Sequence, residues 1–328
     1  MSVRIEALER AASASAPGRS GVEAKRMLVI ANPYASTMSA RLRHLVVYAL
    51  QGRYEVEAVD TQRKGHAIEL CREAASEGYD VVCAFGGDGT VNEAANGLAG
   101  SGTPLTCLPG GATNVFCRML GIPNDVVDAT EHLLALADDW APRPVDLGQV
   151  NGRWFTFSAG AGLDASIVEV VDRHPHLKAR YGPWFFTAAG LSVFLRRYVR
   201  NPPRVVVEAG GERIEGVSAF VQNSTPYTFF KRTPVEIVSG ATIDNGTLTV
   251  GVLERASAVD APTIIARGLL PKLHIEHHRR VSSIRDVESV LVRSADAREV
   301  PIQVDGDFVG VTTEARFRVV PGALHVVC

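Results

Sequence analysis

The sequence predicts two domains of different architecture, a doubly wound α/β domain followed by an antiparallel β-sandwich domain. From Met27 to about Asp139, short apolar runs alternate with segments of helical periodicity, which is typical of a parallel sheet covered on both faces. The segment Ala141-Pro142-Arg143-Pro144 marks a change, because many short runs with period-two alternation follow it. The chain has 328 residues, 46% of them apolar, which is enough for about two domains of ordinary size.

The first domain consists of predicted strands and helices in alternation. Apolar runs too short for a helix mark the strands, and apolar residues spaced at i, i+3, i+4 and i+7 mark the helices. In such a parallel sheet, ligands bind at the carboxyl ends of the strands, where the following loops meet. The predicted strands are 27–31, 56–60, 81–85 and 105–108, and the predicted helices lie within 42–49, 67–74, 91–98 and 126–137.

The second domain is predicted to be antiparallel because apolar and polar residues alternate along its short runs. A helical insertion over Pro183–Val199 interrupts these strands. The predicted strands are 154–157, 204–207, 217–221, 248–252, 287–292 and 316–320. The predicted divisions are a flexible tail at 1–25, the α/β domain at 26–142 with 315–328 returning to it, and the β-sandwich at 143–314.

Composition excludes several classes of protein. A net charge of −2 with 21% charged residues provides no basic surface for nucleic acid. The five cysteines show no CxxC spacing and lie mostly in apolar runs, as in a cytosolic protein with reduced core thiols. The longest uncharged stretch, Trp184 to Leu195, is shorter than the ~20 residues that cross a bilayer. The tail has no apolar signal segment, and a short helix is predicted around Ile5–Ala12.

The most informative local feature is the run Gly-Gly-Asp-Gly-Thr at residues 86–90, between the predicted strand 81–85 and a helix beginning near Val91. Glycine amides beside a helix N-terminus form an anion site. Asp88 would repel a phosphate unless a cation lies between them, so the run predicts a nucleotide bound with Mg²⁺. A plain strand-to-helix turn is the alternative interpretation of such a run.

Other loops follow neighbouring predicted strands and would meet at the same edge of the sheet. Residues 31–36 follow the first strand, 61–67 the second and 108–116 the fourth. The glycines of the last loop and Asn114 suit a ribose or phosphate contact, while a turn capped by Asn114 or Thr113 is the alternative.

Together with motifs in the second half, these loops resemble the diacylglycerol kinase catalytic-domain family of lipid kinases, which includes bacterial lipid kinases and sphingosine kinases. The resemblance covers nearly the whole chain after the tail, in the order and the spacing of its motifs. The matching segments are Asn32-Pro33, Thr61 with 65–67, 86–90 with Asn92-Glu93, 109–114 with Phe116 and Arg118, 145–148, 161–164, 244–248 and 304–307.

The resemblance implies transfer of the γ-phosphoryl group of ATP to a lipid hydroxyl such as that of diacylglycerol. It implies Mg²⁺ as a cofactor, an active site in the cleft between the domains, and a lipid-binding role for the β-sandwich. The residues implied to contact the nucleotide are Asn32, Pro33, Tyr34, Ala35, Ser36, Thr61, Gly86, Gly87, Asp88, Gly89, Thr90, Val91, Asn92, Glu93, Ala112, Thr113 and Asn114.

By position, the resemblance makes Asp307 the proton acceptor for the lipid hydroxyl, with Asp305 as the second candidate and Asp88 orienting the metal. A carboxylate within hydrogen-bond reach could take that proton while Mg²⁺ neutralises phosphate charge. Asp146 and Asp164 match positions near the acceptor pocket, and turn carboxylates are the alternative. The implied metal-binding residues are Asp88, Thr242, Asp244, Asn245 and Thr247.

Two alternative functions stay open. NAD kinase would explain the Gly-Gly-Asp-Gly run and the β-rich second half, but not Asn32-Pro33, the 65–67 element or the 304–307 motif. A non-catalytic relative that binds nucleotide or lipid is the other alternative. The residues that favour it depart from the family pattern and are Ala112, Val115, Asn245 and Asp307.

The expected partner is a lipid substrate at a membrane surface; nucleic acid is not expected, and a homodimer is compatible with the sequence. The apolar segment 184–195 suits a bilayer interface, and packing on the sandwich is the alternative. We therefore expect a cytoplasmic protein, compatible with peripheral attachment to the inner membrane face. The basic residues that flank the segment are Lys178, Arg180, Arg196, Arg197 and Arg200.

Overall fold

The computed structural model describes residues 24–35, 38–174, 176–177, 181, 183–230, 233–270 and 273–328. The helix predicted around Ile5–Ala12 lies outside the described residues, as does nearly all of the predicted tail. The chain divides into two compact units. The first unit is Met1–Val145 with Gly322–Cys328, and the second unit is Asp146–Pro321.

The first unit contains a parallel sheet in the strand order β2-β1-β3-β4. The end of the last strand of the chain lies beside β4, with Val326 opposite Leu105. This arrangement confirms the α/β prediction for the first half. In chain order the elements are β1 (Lys25–Ala31), α1 (Ala40–Leu50), β2 (Tyr54–Asp60), α2 (His66–Ser76), β3 (Val81–Gly86), α3 (Asp88–Leu98), β4 (Leu105–Pro109), α4 (Val115–Met119) and α5 (Val126–Leu136).

Local sequence explains where these elements begin and what they bury. Strands β3 and β4 are buried along their whole length, as expected for central strands of a parallel sheet. Ser39 caps α1 by accepting the Leu42 N–H, and Asp125 caps α5 by accepting the Val127 N–H. The short helix α4 was not predicted, because a single apolar turn after a glycine loop carries no periodic signal.

One boundary in the first unit differs from the prediction. Helix α3 begins at Asp88 and not near Val91, so Asp88–Thr90 form its first turn. The Gly87 carbonyl starts the helix by accepting the N–H groups of Thr90 and Val91, at 3.0 and 3.1 Å. Glycine and threonine are weak helix formers, which is why the sequence favoured a loop here.

The second unit is built mainly from antiparallel strands, which confirms the prediction for the second half. Strand β5 begins in the first unit and ends in the second, while β18 begins in the second unit and ends in the first. The elements are β5 (Arg143–Val150), β6 (Arg153–Phe155), β7 (Ser158–Gly162), α6 (Leu163–Asp172), α7 (Pro183–Val193) with a π-helical turn (Phe194–Tyr198), β8 (Val205–Ala209), β9 (Glu212–Gly216), β10 (Ser218–Gln222), β11 (Thr228–Phe230), β12 (Thr233–Val235), β13 (Leu248–Leu253), α8 (Ala261–Leu269), a 3₁₀ turn (Ile275–His277), β14 (Val281–Val287), β15 (Ser289–Ser294), β16 (Val300–Val304), β17 (Asp307–Thr312) and β18 (Glu314–Val326).

Two groups of strands enclose the core of the second unit. One is a six-stranded antiparallel sheet in the order β14-β13-β10-β7-β16-β17. The other contains β18, β15, β8 and β9, with β5 beside β18. Val221 and Val250 of the first group share one buried cluster with Val207, Val292 and Phe317 of the second. The shared cluster is the hydrophobic core between the two sheets of a β-sandwich.

Other predictions for the second unit need correction. The run 287–292 is not one strand, because β14 ends at Val287 and β15 begins at Ser289, after Asp286 in a left-handed conformation (φ 55°). The helices α6 and α8 were not predicted, since α6 follows β7 without a break and α8 contains Pro262 and Gly268, which are poor helix formers. Among the described residues, no helix has the length and apolar character to span a bilayer.

Candidate functional site

In the first unit, two glycine pairs lie against each other at the carboxyl ends of β3 and β4. The Gly110 N–H donates to the Gly86 carbonyl at 2.8 Å. A Cβ added to Gly111 would lie 2.7 Å from the Gly87 Cα, and one added to Gly110 would lie 3.0 Å from the Gly86 Cα. Side chains cannot be accommodated at this separation, so the glycines allow the two loops to meet.

The loop after β1 is joined to the start of α3 by Asn32. Its side-chain amide donates to Thr90 Oγ1 at 3.2 Å, and its backbone N–H donates to the Phe85 carbonyl at 3.0 Å. Its side-chain oxygen accepts the Tyr34 N–H at 3.0 Å. The structure therefore brings the predicted residues Asn32, Tyr34 and Thr90 to one place.

Asp88 occupies the first turn of α3, where the helix dipole favours a negative charge. Its Oδ1 accepts the Phe116 N–H at 3.3 Å, so the carboxylate links the start of α3 to α4. The first amides of a helix have no partner within the helix. The start of α3 therefore combines helix amides, which suit phosphate, with a carboxylate, which suits a metal ion.

Asn114 closes the loop that follows β4. The residue is buried, has a left-handed backbone (φ 49°), and its Oδ1 accepts the Gly111 N–H at 2.8 Å. Its side-chain amide donates to the Gly111 carbonyl and to Asn124 Oδ1, at 2.8 and 2.9 Å. The Asn114 side chain thus holds the turn, which is the alternative that the sequence left open. Ala112 in the same loop is exposed and Thr113 is half-buried.

Glu93 anchors the loop that follows β2. Its carboxylate accepts the Gly65 N–H at 2.7 Å and the Ala67 N–H at 3.3 Å, at the start of α2. The Thr61 N–H donates to the Ala31 carbonyl at 2.8 Å. The Glu93 carboxylate therefore fixes this loop, and its implied contact with the nucleotide stays a prediction.

The remaining predicted nucleotide residues differ in accessibility. Val91 and Asn92 are buried in α3, so their side chains face the interior of the first unit. Pro33 and Tyr34 are exposed, and Ala35 is half-buried. Ser36 lies outside the described residues.

In the second unit, Asp305 and Gly306 form the two-residue turn between β16 and β17. Both have positive φ, 47° and 82°, as in a type I′ turn. Val304 pairs with Asp307 across the turn, so Asp307 is the first residue of β17 and is half-buried. The motif 304–307 is thus a tight hairpin turn that presents Asp307 at its base.

The Asp305 carboxylate anchors this turn. It accepts the Thr156 N–H at 2.7 Å, the Thr156 hydroxyl at 2.9 Å, and the N–H groups of Phe157 and Ser158 at 3.0 and 3.1 Å. Two carboxylate oxygens with four donors are saturated, and the residue is buried. Because its lone pairs are directed at these donors, the contacts favour a structural role for Asp305 over that of a second proton acceptor.

Asp164 lies at the start of α6 within a polar network. Its Oδ2 accepts the Tyr227 hydroxyl and the Gln303 side-chain amide, the latter at 2.9 Å. Burial raises the pKa of Asp164 above its ordinary value, against the effect of these hydrogen bonds. Burial and the nearby Asp164 raise the pKa of Tyr227 well above its usual range. The Asp164 carboxylate is thus engaged by side chains of its own unit, and its role at the acceptor pocket stays a prediction.

Asp146 holds the loop that contains the predicted metal ligands. It is buried, and its Oδ2 accepts the Gly246 N–H at 2.7 Å, while its own N–H donates to the Ile243 carbonyl at 2.7 Å. Asn223 donates its side-chain amide to the Asp146 carbonyl at 2.9 Å. Asp146 is therefore close to the 242–247 loop and determines its conformation.

The 242–247 loop offers oxygen donors of the kind that Mg²⁺ prefers. Thr242, Asp244 and Asn245 are exposed, and Asn245 Oδ1 accepts the Thr247 N–H at 3.3 Å. The Thr247 hydroxyl is buried without a hydrogen-bond partner among the described residues. These residues fit a hydrated Mg²⁺ ion with one protein carboxylate. In the part of the chain that is described, no three His, Cys, Asp or Glu side chains cluster for a metal ion.

Sequence reasoning missed Tyr227, Gln303 and Asn223, which complete the polar networks around Asp164 and Asp146. No local pattern identifies them, since the sequence separation between each residue and the aspartate that it contacts is 63 residues or more. The hairpin could have been found, because Asp-Gly between two β-rich runs is a strong signal for a type I′ turn.

Comparison with known proteins agrees with this arrangement. Residues 26–150 match the model of the diacylglycerol kinase catalytic domain, and residues 158–328 match that of the YegS C-terminal NAD kinase beta sandwich-like domain. The diacylglycerol kinase of Staphylococcus aureus (strain bovine RF122 / ET3-1) is 26% identical over 294 residues, which are 87% of each chain.

Another relative, the diacylglycerol kinase of Bacillus subtilis (strain 168), is 32% identical over 197 residues. That alignment covers 58% of this chain and 62% of the relative, which is less than two thirds of its length. The crystal structure of a candidate diacylglycerol kinase from Bacillus anthracis strain Sterne has a TM-score of 0.73 at 24% identity, covering 94% and 97% of the two chains. The chain belongs to the family in which a diacylglycerol kinase catalytic domain precedes a YegS-type C-terminal domain.

Proposed function

We propose that this chain is a kinase that transfers the γ-phosphoryl group of ATP to the hydroxyl group of a lipid such as diacylglycerol. The start of α3 carries the proposal, because it places Asp88 in a helical first turn beside two closely packed glycine pairs. Helix amides and glycine backbone bind phosphate, and the carboxylate orients the metal ion that accompanies the nucleotide. The names of the relatives agree with this chemistry.

The first unit would bind the nucleotide. The Gly87 and Gly111 backbones approach each other closely, and the amides in the first turn of α3 would contact the phosphate chain beside them. Asn32 and Thr90 fix the loop after β1 beside the same amides. Because the Asp88 carboxylate lies at this helix start, it would orient MgATP, which we treat as the substrate, without binding phosphate directly.

The second unit would supply the carboxylate that activates the lipid hydroxyl. Asp307 is the carboxylate that we propose to accept the proton of the lipid hydroxyl. The hydroxyl oxygen forms a bond to the γ-phosphorus, the bond from that phosphorus to the β–γ bridging oxygen breaks, and ADP leaves. The role of Asp305 in this step is to hold the turn at which Asp307 begins β17.

Thr242, Asp244, Asn245 and Thr247 are the residues that would hold a further Mg²⁺ ion in the second unit. When bound, the ion would add positive charge beside Asp244, the one carboxylate of this loop. Asp146 would position this loop through its hydrogen bond to Gly246, as a residue that acts through others. We also propose that the chain works from the cytoplasm at the inner membrane face, where a lipid acceptor is available.

The test is an assay with radiolabelled ATP and a panel of acceptors comprising diacylglycerol, sphingosine, a polyprenol and NAD. We expect a labelled lipid product and no labelled NAD. Labelled NAD would overturn the proposal in favour of NAD kinase, and ATP binding without any product would indicate a non-catalytic relative.

A pair of variants tests the role of the Asp88 carboxylate at the start of α3. Asp88→Asn keeps an acceptor for the Phe116 N–H but removes the charge, so we expect turnover to be lost while the chain stays folded. Asp128→Asn is the matched control, since Asp128 is also in the first turn of a helix of this unit and is exposed. An Asp88→Asn variant as active as the control would refute the role of Asp88.

A further inference from the structure

Asp307 begins a strand at the end of a sheet, where the ladder fixes only a short stretch of backbone. Strand β17 is the last strand of the six-stranded sheet, and β16 is its one strand neighbour among the described residues. The pairing shifts between Ile302 and Gln303 of β16, which leaves Val309 as an extra residue on β17. Such a β-bulge interrupts the regular ladder. Asp307 and Phe308 therefore occupy the whole stretch between the hairpin turn and the bulge.

Side chains accept the N–H groups of the residues before and after Asp307. Gln303 Oε1 accepts the Gly306 N–H at 2.8 Å, and Asp172 Oδ2 accepts the Phe308 N–H at 3.2 Å. In a two-residue hairpin the residues that flank the turn bond to each other, so the N–H group of the next residue points away from the partner strand. On an edge strand such a group has no neighbouring strand to bond. Asp172 therefore supplies the acceptor that a further strand would otherwise provide.

Helix α6 supports both contacts. Asp172 is the last residue of α6, and Asp164, near the start of the helix, accepts the Gln303 side-chain amide at 2.9 Å. A negative charge at the C-terminal end of a helix is disfavoured by the helix dipole. The stability of α6 therefore does not explain an aspartate at this position, whereas its hydrogen bond to the hairpin does.

We infer that Asp172 is a positioning residue for phosphoryl transfer, which acts through the Phe308 N–H on the proposed base Asp307. The hydrogen bond fixes the peptide group that follows Asp307, and with it the direction in which the Asp307 side chain leaves β17. Proton transfer requires that carboxylate within hydrogen-bond reach of the lipid hydroxyl, so a displaced strand start lowers the rate. The inference rests on the proposed function, because it takes Asp307 as the group that accepts the proton.

Substitutions at residue 172 test the role in catalysis. Asp172→Leu is similar in size but accepts no hydrogen bond, so kcat should fall by at least about tenfold while the KM for ATP stays the same. Asp172→Ala removes the acceptor without adding apolar surface and should give the same result. Asp172→Asn keeps an acceptor oxygen, so its kcat should stay within about threefold of that of the unchanged chain. An equal fall in Asp172→Asn and Asp172→Leu would overturn the inference, since the charge and not the hydrogen bond would then matter.

The matched control is Glu73, an exposed carboxylate in the last turn of α2. Glu73→Leu removes an acidic side chain from the end of a helix, as Asp172→Leu does, but Glu73 belongs to the first unit. Its kcat with a short-chain diacylglycerol dispersed in water should equal that of the unchanged chain. A contact that only stabilises the fold would lower the melting temperature and leave kcat alone. Equal kcat values for Asp172→Leu and Glu73→Leu would therefore overturn the inference.

Hydrogen exchange tests the contact without any turnover. The exchange rate of the Phe308 amide is measured by NMR in chains that carry isotope-labelled phenylalanine. An N–H that donates to Asp172 is protected, so exchange at Phe308 should be at least about tenfold faster in Asp172→Leu than in the unchanged chain. Asp172→Asn should keep the slow exchange. Equally fast exchange in the unchanged chain and in Asp172→Leu would show that the hydrogen bond does not hold β17.

The outcomes separate this inference from the proposed function. If the unchanged chain phosphorylates the lipid, Asp307→Asn does not, and Asp172→Leu keeps its kcat, the positioning role is wrong and the kinase proposal stands. If the unchanged chain phosphorylates no acceptor while exchange at Phe308 still depends on Asp172, the kinase proposal fails. The catalytic role of Asp172 then fails with it, and the hydrogen bond is a structural one.

Discussion

Gln303 and Asp164 share a hydrogen bond of 2.9 Å between the side-chain amide and the carboxylate, and Gln303 extends this contact to the hairpin turn. Its carbonyl oxygen accepts the Gly306 N–H at 2.8 Å, and its amide also donates to the Tyr227 hydroxyl at 2.8 Å. Gln303 is 2% exposed, so these contacts form away from water. The network therefore connects the start of α6 to the turn that presents Asp307.

Gln303→Met should lower kcat by roughly 100-fold, because removal of these hydrogen bonds displaces the turn and misplaces Asp307. The KM for ATP should stay the same, since the residues implied to bind ATP belong to the first unit. Steady-state kinetics with both substrates varied would measure this. Gln149→Met is the control, because Gln149 is half-exposed and bonds Arg318, and a loss of kcat in both variants would contradict a specific role.

The buried Asp164 predicts a pH dependence of stability. Its pKa is raised from the ordinary 3.8, so the folded chain favours the protonated acid more than the unfolded chain does. The stabilising contribution is complete below pH 3.8 and is lost as the pH rises through the raised pKa. The melting temperature of Asp164→Asn should therefore approach that of the unchanged chain, or exceed it, as the pH increases over this window.

Thermal melts of both chains between acidic and neutral pH would show this difference. Asp139→Asn, at an exposed position, serves as the control and should follow the unchanged chain throughout. A difference between Asp164→Asn and the unchanged chain that stays constant with pH would show that Asp164 does not titrate in this way.

Much of the fold follows from the sequence because its signals are local. The parallel strands are continuous apolar runs, and in the strands of the second unit apolar and polar residues alternate. Both patterns can be recognised in the sequence without knowledge of tertiary contacts. The α3 boundary was missed because Gly87 and Gly89 conceal a helical turn that the Gly87 carbonyl starts. The break at Glu288 was missed because a single residue separates the end of β14 from the start of β15.

The site is predictable only in part, for a different reason. The motifs identify Asp88, Asp305 and Asp307, but not which carboxylate is already bonded to the backbone. Asp305 is saturated by donors from residues 156–158, and those contacts depend on strand positions nearly 150 residues apart in sequence. The residues Tyr227 and Gln303 gain their roles from the same kind of tertiary contact.

The different surroundings of Asp305 and Asp307 predict different effects of the same substitution. Asp305→Asn would turn an amide group toward N–H donors and leave some unsatisfied, so it should lower the free energy of unfolding by roughly 1–3 kcal/mol. Asp307→Asn should abolish phosphoryl transfer with little change in the melting temperature, because its charge is needed for the proton. Denaturant titrations and the radiolabel assay measure the two effects separately. Full activity in Asp307→Asn would refute the proposed base.

The packing of the two glycine pairs predicts that Gly111→Ala damages the nucleotide site. The added Cβ would lie 2.7 Å from the Gly87 Cα and 3.0 Å from Asn114 Oδ1, so backbone must move. We expect a loss of stability of about 1–3 kcal/mol and a large loss of ATP affinity, measured by thermal melting and by calorimetric titration with MgATP. Gly102→Ala in the same unit is the matched control, because a Cβ there meets nothing within 4 Å and should leave both quantities unchanged. ATP affinity that is equal in the two variants would show that the close approach of the two loops is not needed for nucleotide binding.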